Sequence, residues 1–128
     1  MLSVTSIYAA LLALVFVVMS TRVIRYRKSE RISLGDGGDA EISRRIRAHG
    51  NFAEYVPLAL ILLGLAEMQG APAWALHLLG SLLLIGRVLH GYALSVVPQP
   101  MRLRVVGMAL TFAMLVVTAL GLLGHALI

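Results

Sequence analysis

Residues 2–21 hold 20 consecutive positions without a charged side chain, and at about 1.5 Å per residue such a run is long enough to cross the roughly 30 Å of a bilayer core as a helix. Three further apolar runs follow, at residues 52–68, 73–97 and 105–128. Backbone polar groups inside lipid must be satisfied within the segment, so four such runs dictate helices. Composition agrees: 59% of the 128 residues are hydrophobic and 13% are charged, against roughly 45–50% and about 25% in soluble domains. A disordered chain is excluded by the same balance. The expected fold is an all-α integral membrane four-helix bundle, one domain over residues 1–128, with helix 1 at about 2–24, helix 2 at about 40–69, helix 3 at about 73–97 and helix 4 at about 104–127.

The boundaries come from local signals. A secretory signal begins with positive charge and ends in small residues, whereas helix 1 starts uncharged and ends in Arg22, Arg25, Arg27 and Lys28, so it is kept as a span. Asp39 is a suitable N-cap for a helix 2 that begins well before its apolar part. Gln69-Gly70-Ala71-Pro72 marks a tight turn and Pro98-Gln99-Pro100 a second break. The glycine-rich stretch from Ser33 to Asp39 lacks the Lys-Ser/Thr of a phosphate-binding loop and reads as a connector. Eight of the eleven Lys and Arg residues lie between positions 22 and 47, and two more, Arg102 and Arg104, precede helix 4. The positive-inside rule then assigns the 22–48 hairpin to the cytoplasm and both termini to the outside. Attraction to anionic lipid headgroups accounts for the net charge of +5 without a nucleic-acid partner.

Membrane insertion does not account for Glu54 and Arg87. An ionised side chain at a span centre costs about 2.5–3.5 kcal/mol on insertion scales, so such groups need partners. Arg44, Arg47, Asn51, Glu54 and Leu58 recur every three or four positions and share one face of helix 2; Arg87, His90 and Leu94 share a face of helix 3. A purely structural reading pairs Glu54 with Arg87 or with an arginine of helix 4. A functional reading notes that Arg47, Arg25, Arg102 or Arg104, and Arg87 as a further candidate, surround one carboxylate and one amide, a combination suited to a small zwitterion with two or more carboxylates. Trp74 reads as an interfacial anchor, and His77 and His125 lack a second ligand at metal spacing, so no metal site is expected.

The stretch Arg47-Ala48-His49-Gly50-Asn51-Phe52-Ala53-Glu54-Tyr55-Val56-Pro57 resembles the signature of the MAPEG family, membrane-associated proteins in eicosanoid and glutathione metabolism. Gly86-Arg87-Val88-Leu89-His90 is similar to that family's helix 3 motif, and the basic turn ahead of helix 4 extends the resemblance over nearly the whole chain. The resemblance implies a homotrimer binding glutathione as co-substrate between neighbouring subunits. It carries glutathione contacts over to Arg47, Asn51, Glu54 and His90, assigns Arg25 to a neighbour's site, and leaves Arg102 or Arg104 as the catalytic arginine that stabilises the glutathione thiolate. Gly50 stands where prostaglandin synthase members carry a second arginine and Leu94 where a tyrosine is common, so the sequence is closer to the uncharacterised bacterial branch than to the eicosanoid enzymes, a resemblance that implies a bacterial inner membrane.

The function expected on that basis is conjugation of glutathione to a small hydrophobic electrophile arriving from the membrane lipids, with peroxidase activity toward lipid hydroperoxides as an extension. Two alternatives come from other classes: a non-catalytic membrane scaffold, and a small four-helix exporter of cationic compounds. The exporters of that size carry an essential glutamate in helix 1, where this chain has no acidic residue before Glu30.

Overall fold

The computed structural model describes residues 1–128. It contains four helices, α1 (Ser3–Glu30), α2 (Ala40–Met68), α3 (Ala73–Ser95) and α4 (Met101–Leu127), and no strand. Each is long and apolar enough to cross a membrane. The 29 residues of α2 span about 43 Å, more than the hydrocarbon thickness, so its ends project beyond it. Helices α2 and α3 form the central pair; α1 packs on both from one side, α4 on both from the other, and α1 does not touch α4.

Local chemistry sets each helix end. Asp39 caps α2, accepting from the backbone N–H of Glu41 at 2.8 Å and of Ile42 at 3.2 Å. Helix α1 has no cap of its own; the Glu67 carboxylate, from the last turn of α2, accepts from Val4 N at 2.8 Å and Thr5 N at 2.6 Å. A negative group there also complements the helix dipole. Helix α1 runs on to Glu30, past the expected end near residue 24. The basic end of α1 is held to α3 and to the start of α2: Arg22 donates to Ser95 Oγ of α3 at 2.6 Å, Arg45 donates to the Arg22 carbonyl and lies over the Tyr26 ring, and the Tyr26 hydroxyl donates to Asp39. Helix α3 stops at Ser95, two residues short of the expectation: Val96 already has extended backbone, and Val97, the residue before Pro98, is disfavoured in helical geometry. Helix α4 starts directly after Pro100. Pro57 lies inside α2, which continues through it as one helix.

The core is built from Tyr8 and Leu12 of α1, Phe52, Val56, Ala59 and Leu63 of α2, Leu76 and Leu83 of α3 and Met114 of α4. At one end the Tyr8 hydroxyl meets His77 Nδ1 at 3.0 Å and Ser81 Oγ at 3.1 Å, pinning α1 to α3. Toward the other end α3 and α4 cross with almost no side chain between them: a Cβ added at Gly86 would lie 2.8 Å from the Gly107 carbonyl oxygen. Only glycine permits that approach. Both chain ends and the α2–α3 turn lie at the first end; the α1–α2 hairpin and the α3–α4 connection share the second.

Candidate functional site

The cavity at the basic end of the bundle is assembled by the start of α2, the end of α3 and the start of α4. It has a volume of about 430 Å³, and its polar lining comprises Ser43, Arg44, Arg47, Asn51, His90, Gln99 and Arg104, with Ala40, Leu94 and Val97 as the apolar part. The helical repeat explains why: Arg44, Arg47 and Asn51 stand three and four residues apart on α2, and His90 and Leu94 four apart on α3. Three arginines and no carboxylate line the cavity, while Glu41 and Glu54, just outside, pair with Arg44 and Arg47. Such a lining is chemically suited to an anion, because arginine offers only donors, in a fork that matches carboxylates. Arg44 is oriented from below by Glu41, whose carboxylate accepts from Arg44 Nη2 at 2.6 Å and from Arg45 Nε at 2.8 Å.

Of the residues singled out from sequence, Arg47, Asn51, His90 and Arg104 meet at this cavity. Glu54 stands one turn deeper along α2, outside the lining. Its side chain is 57% exposed, with the Arg47 guanidinium 3.7 Å away. Its partner is therefore neither Arg87 nor an arginine of α4, the pairings considered in the structural reading: Arg87 points into the bundle and Glu54 to its surface. Arg25 and Arg102 are exposed on a single chain and do not line the cavity. Arg102 and Arg104 differ in direction because two residues turn a helix by roughly 200°, and it is Arg104 that faces inward. Arg104 also borders a second, apolar groove of about 350 Å³ along α4, formed by Met101, Val105, Met108, Ala109 and Phe112. One guanidinium thus stands between a cationic cavity and an apolar groove.

Arg87 is 1% exposed. Its Nε donates to Thr111 Oγ1 at 2.9 Å, Nη1 to Asn51 Oδ1 and Nη2 to Met108 Sδ at 3.1 Å, and the guanidinium lies 5.4 Å from the centre of the Tyr55 ring. The sequence marks Arg87 as a group in need of partners but does not mark Thr111 or Met108, which reach it only because the Gly86–Gly107 crossing brings α4 so close. A hydroxyl four residues after a glycine, in an otherwise apolar span, is the available signal. Arg44 belongs to the α2 stripe by its spacing, and Gln99 enters through the connector, which carries no periodicity to read.

Residues 5–124 match the model of the MAPEG family. The chain is also 44% identical over 89 residues to the inner membrane protein YecN of Escherichia coli strain K12, an alignment covering 70% of this chain and 68% of that protein. YecN of Escherichia coli O6:H1 aligns with the same identity and coverage. With four membrane-length helices, a helix 2 motif that forms one wall of a cationic cavity, and a family match over nearly its whole length, this chain belongs to the MAPEG family.

Proposed function

We propose that the protein binds glutathione in the cavity between α2, α3 and α4 and delivers its thiolate to hydrophobic electrophiles from the membrane. The observation that carries this reading is the junction at Arg104, where a cavity lined by three arginines and no carboxylate adjoins an apolar groove. Glutathione has two carboxylates, one ammonium group and a thiol. Arg44 and Arg47 suit the carboxylates, Asn51 and His90 supply further polar contacts, and Glu54, outside the lining and 3.7 Å from Arg47, is the acceptor this reading assigns to the ammonium. Arg104 is the thiolate stabiliser in this reading, because a nearby guanidinium favours the thiolate over the thiol and the thiolate is the nucleophile. The sulfur forms a bond to the electrophilic carbon, the leaving group departs with the bonding pair, and the thiol proton goes to water. With a hydroperoxide, sulfur attacks oxygen, the O–O bond breaks to give the alcohol, and a second glutathione closes the disulfide with loss of water.

The working unit in this reading is a homotrimer, with Arg25 reaching a neighbour's site. It is supported by the exposure of Glu54 on a membrane-length helix with only Arg47 nearby, since ionisable groups in a span ordinarily face protein or water. The basic hairpin faces the cytoplasm and both termini lie outside, in keeping with the charge distribution. The test compares Arg104→Ala with Arg102→Ala in the purified protein, following the ultraviolet absorbance of bound glutathione thiolate against pH. Arg104→Ala raises the apparent thiol pKa and Arg102→Ala leaves it in place. Unchanged thiolate absorbance in both variants rules out this role for either arginine.

A further inference from the structure

Nothing in that chemistry uses Arg87, yet it is the largest fully buried side chain in the protein, and no carboxylate lies within ion-pairing distance of it. Burying a charge without a counter-ion is costly unless its hydrogen bonds are well made. Here each donates in a fixed direction. The Thr111 hydroxyl gives its hydrogen to the Gly107 carbonyl oxygen at 2.9 Å, which leaves a lone pair for Arg87 Nε. Met108 sulfur and the Tyr55 ring hold the rest of the guanidinium plane. Nη1 is then aimed at Asn51, and because arginine has no acceptor, the Asn51 atom it meets is the carbonyl oxygen Oδ1.

A carboxamide held by its oxygen on one side presents its NH2 on the other. Asn51 lines the cavity, its Nδ2 has no partner within the chain, and it is not among the sealed polar atoms that lack one. We propose that Arg87 is a positioning residue that sets the polarity of Asn51. It turns the amide oxygen into the bundle and the amide nitrogen into the cavity, so that the wall beside Arg44, Arg47 and Arg104 consists of donors and takes a hydrogen-bond acceptor of the ligand. The identity of that acceptor, a carboxylate or peptide carbonyl of glutathione, rests on the function proposed above; the polarity rests on the geometry alone.

Two readouts test the two parts separately. In protein carrying 15N-asparagine in detergent, the Asn51 side-chain NH2 pair is identified by its loss in Asn51→Asp, with no ligand present. Arg87→Met should move that pair to the averaged position of a free carboxamide; an unmoved pair overturns the proposal. In titrations with glutathione, Arg87→Met and Asn51→Ala should each weaken binding at least about tenfold, and the double variant should bind no worse than the weaker single variant, because Arg87 acts through Asn51. Multiplying losses, about a hundredfold in the double variant, overturn it. Asn51→Asp keeps an acceptor for Arg87 and so keeps the melting temperature, but turns an oxygen to the cavity. It should bind glutathione more weakly than Asn51→Ala, and wild-type binding by Asn51→Asp overturns the proposal even if Arg87→Met does not fold. If the wild-type protein takes up no glutathione, the proposed function falls and the NH2 signals alone decide the polarity of Asn51.

Discussion

Replacing Gly107 by alanine tests the link between helix crossing and site. A Cβ at that position would lie 2.7 Å from the Gly86 carbonyl oxygen, 2.8 Å from the His90 amide nitrogen and 2.9 Å from His90 Cβ. None of these is the free end of a flexible side chain, so α3 and α4 must separate by about 0.7 Å or more to restore ordinary contact. Overpacking of this kind costs roughly 1–3 kcal/mol, a loss of several degrees in melting temperature for a domain this size. The displaced atoms include the backbone of His90, and Arg87 hangs between the same two helices, so the cavity wall moves as well. Gly121→Ala on the same helix is the control, since its Cβ meets nothing within 4 Å and alanine gains roughly 0.5–1 kcal/mol of helix stability over glycine. Thermal unfolding in detergent, followed by circular dichroism, should rank Gly121→Ala at or above wild type and Gly107→Ala well below it, with weaker glutathione binding in Gly107→Ala. Equal stability of the two variants would refute the close-crossing account.

Two further outcomes follow from individual contacts. The Ile42 N–H, foremost, with the Tyr26 hydroxyl and the Glu41 N–H, holds the Asp39 carboxyl below its ordinary value of 3.8. The folded-state value therefore lies below the unfolded one, and this cap's contribution is complete above the unfolded value and lost as pH falls through the folded one. Asp39→Asn, which retains a capping oxygen, should flatten the acid limb of a melting-temperature profile; an unchanged limb contradicts it. Tyr8→Phe removes the hydroxyl that joins α1 to His77 and Ser81 and should cost about 1 kcal/mol without altering glutathione binding, because it lies at the opposite end from the cavity. A binding defect equal to the stability defect would mean that the two ends are coupled.

Hydropathy and punctuation carried the four helices, because in a bilayer a long uncharged run has one solution. The ends were less legible. The extension of α1 to Glu30 depends on Arg45, Tyr26 and Asp39 meeting across the hairpin, contacts between residues 13 to 23 positions apart. Periodicity put Arg44, Arg47 and Asn51 on one face and His90 on another, and those faces do meet. It could not assign partners, since the rotation of α2 sends Glu54 outward while that of α3 buries Arg87 against Asn51 of α2 and Thr111 and Met108 of α4. Which of Arg102 and Arg104 lines the cavity depends on the rotation of α4, set where Gly107 meets Gly86 of α3; both glycines permit close packing by residue type, but the sequence does not say that they pair with each other.

Calorimetric titration of the detergent-purified protein with reduced glutathione, beside an Arg47→Ala, Glu54→Ala variant, tests the central claim most directly. Loss of a charge-assisted contact of about 1.5–3 kcal/mol corresponds to roughly ten- to a hundredfold in affinity. The account predicts saturable binding in the wild type, weakened at least tenfold in the variant. No binding at millimolar glutathione, or equal binding by both proteins, would contradict the assignment of this cavity.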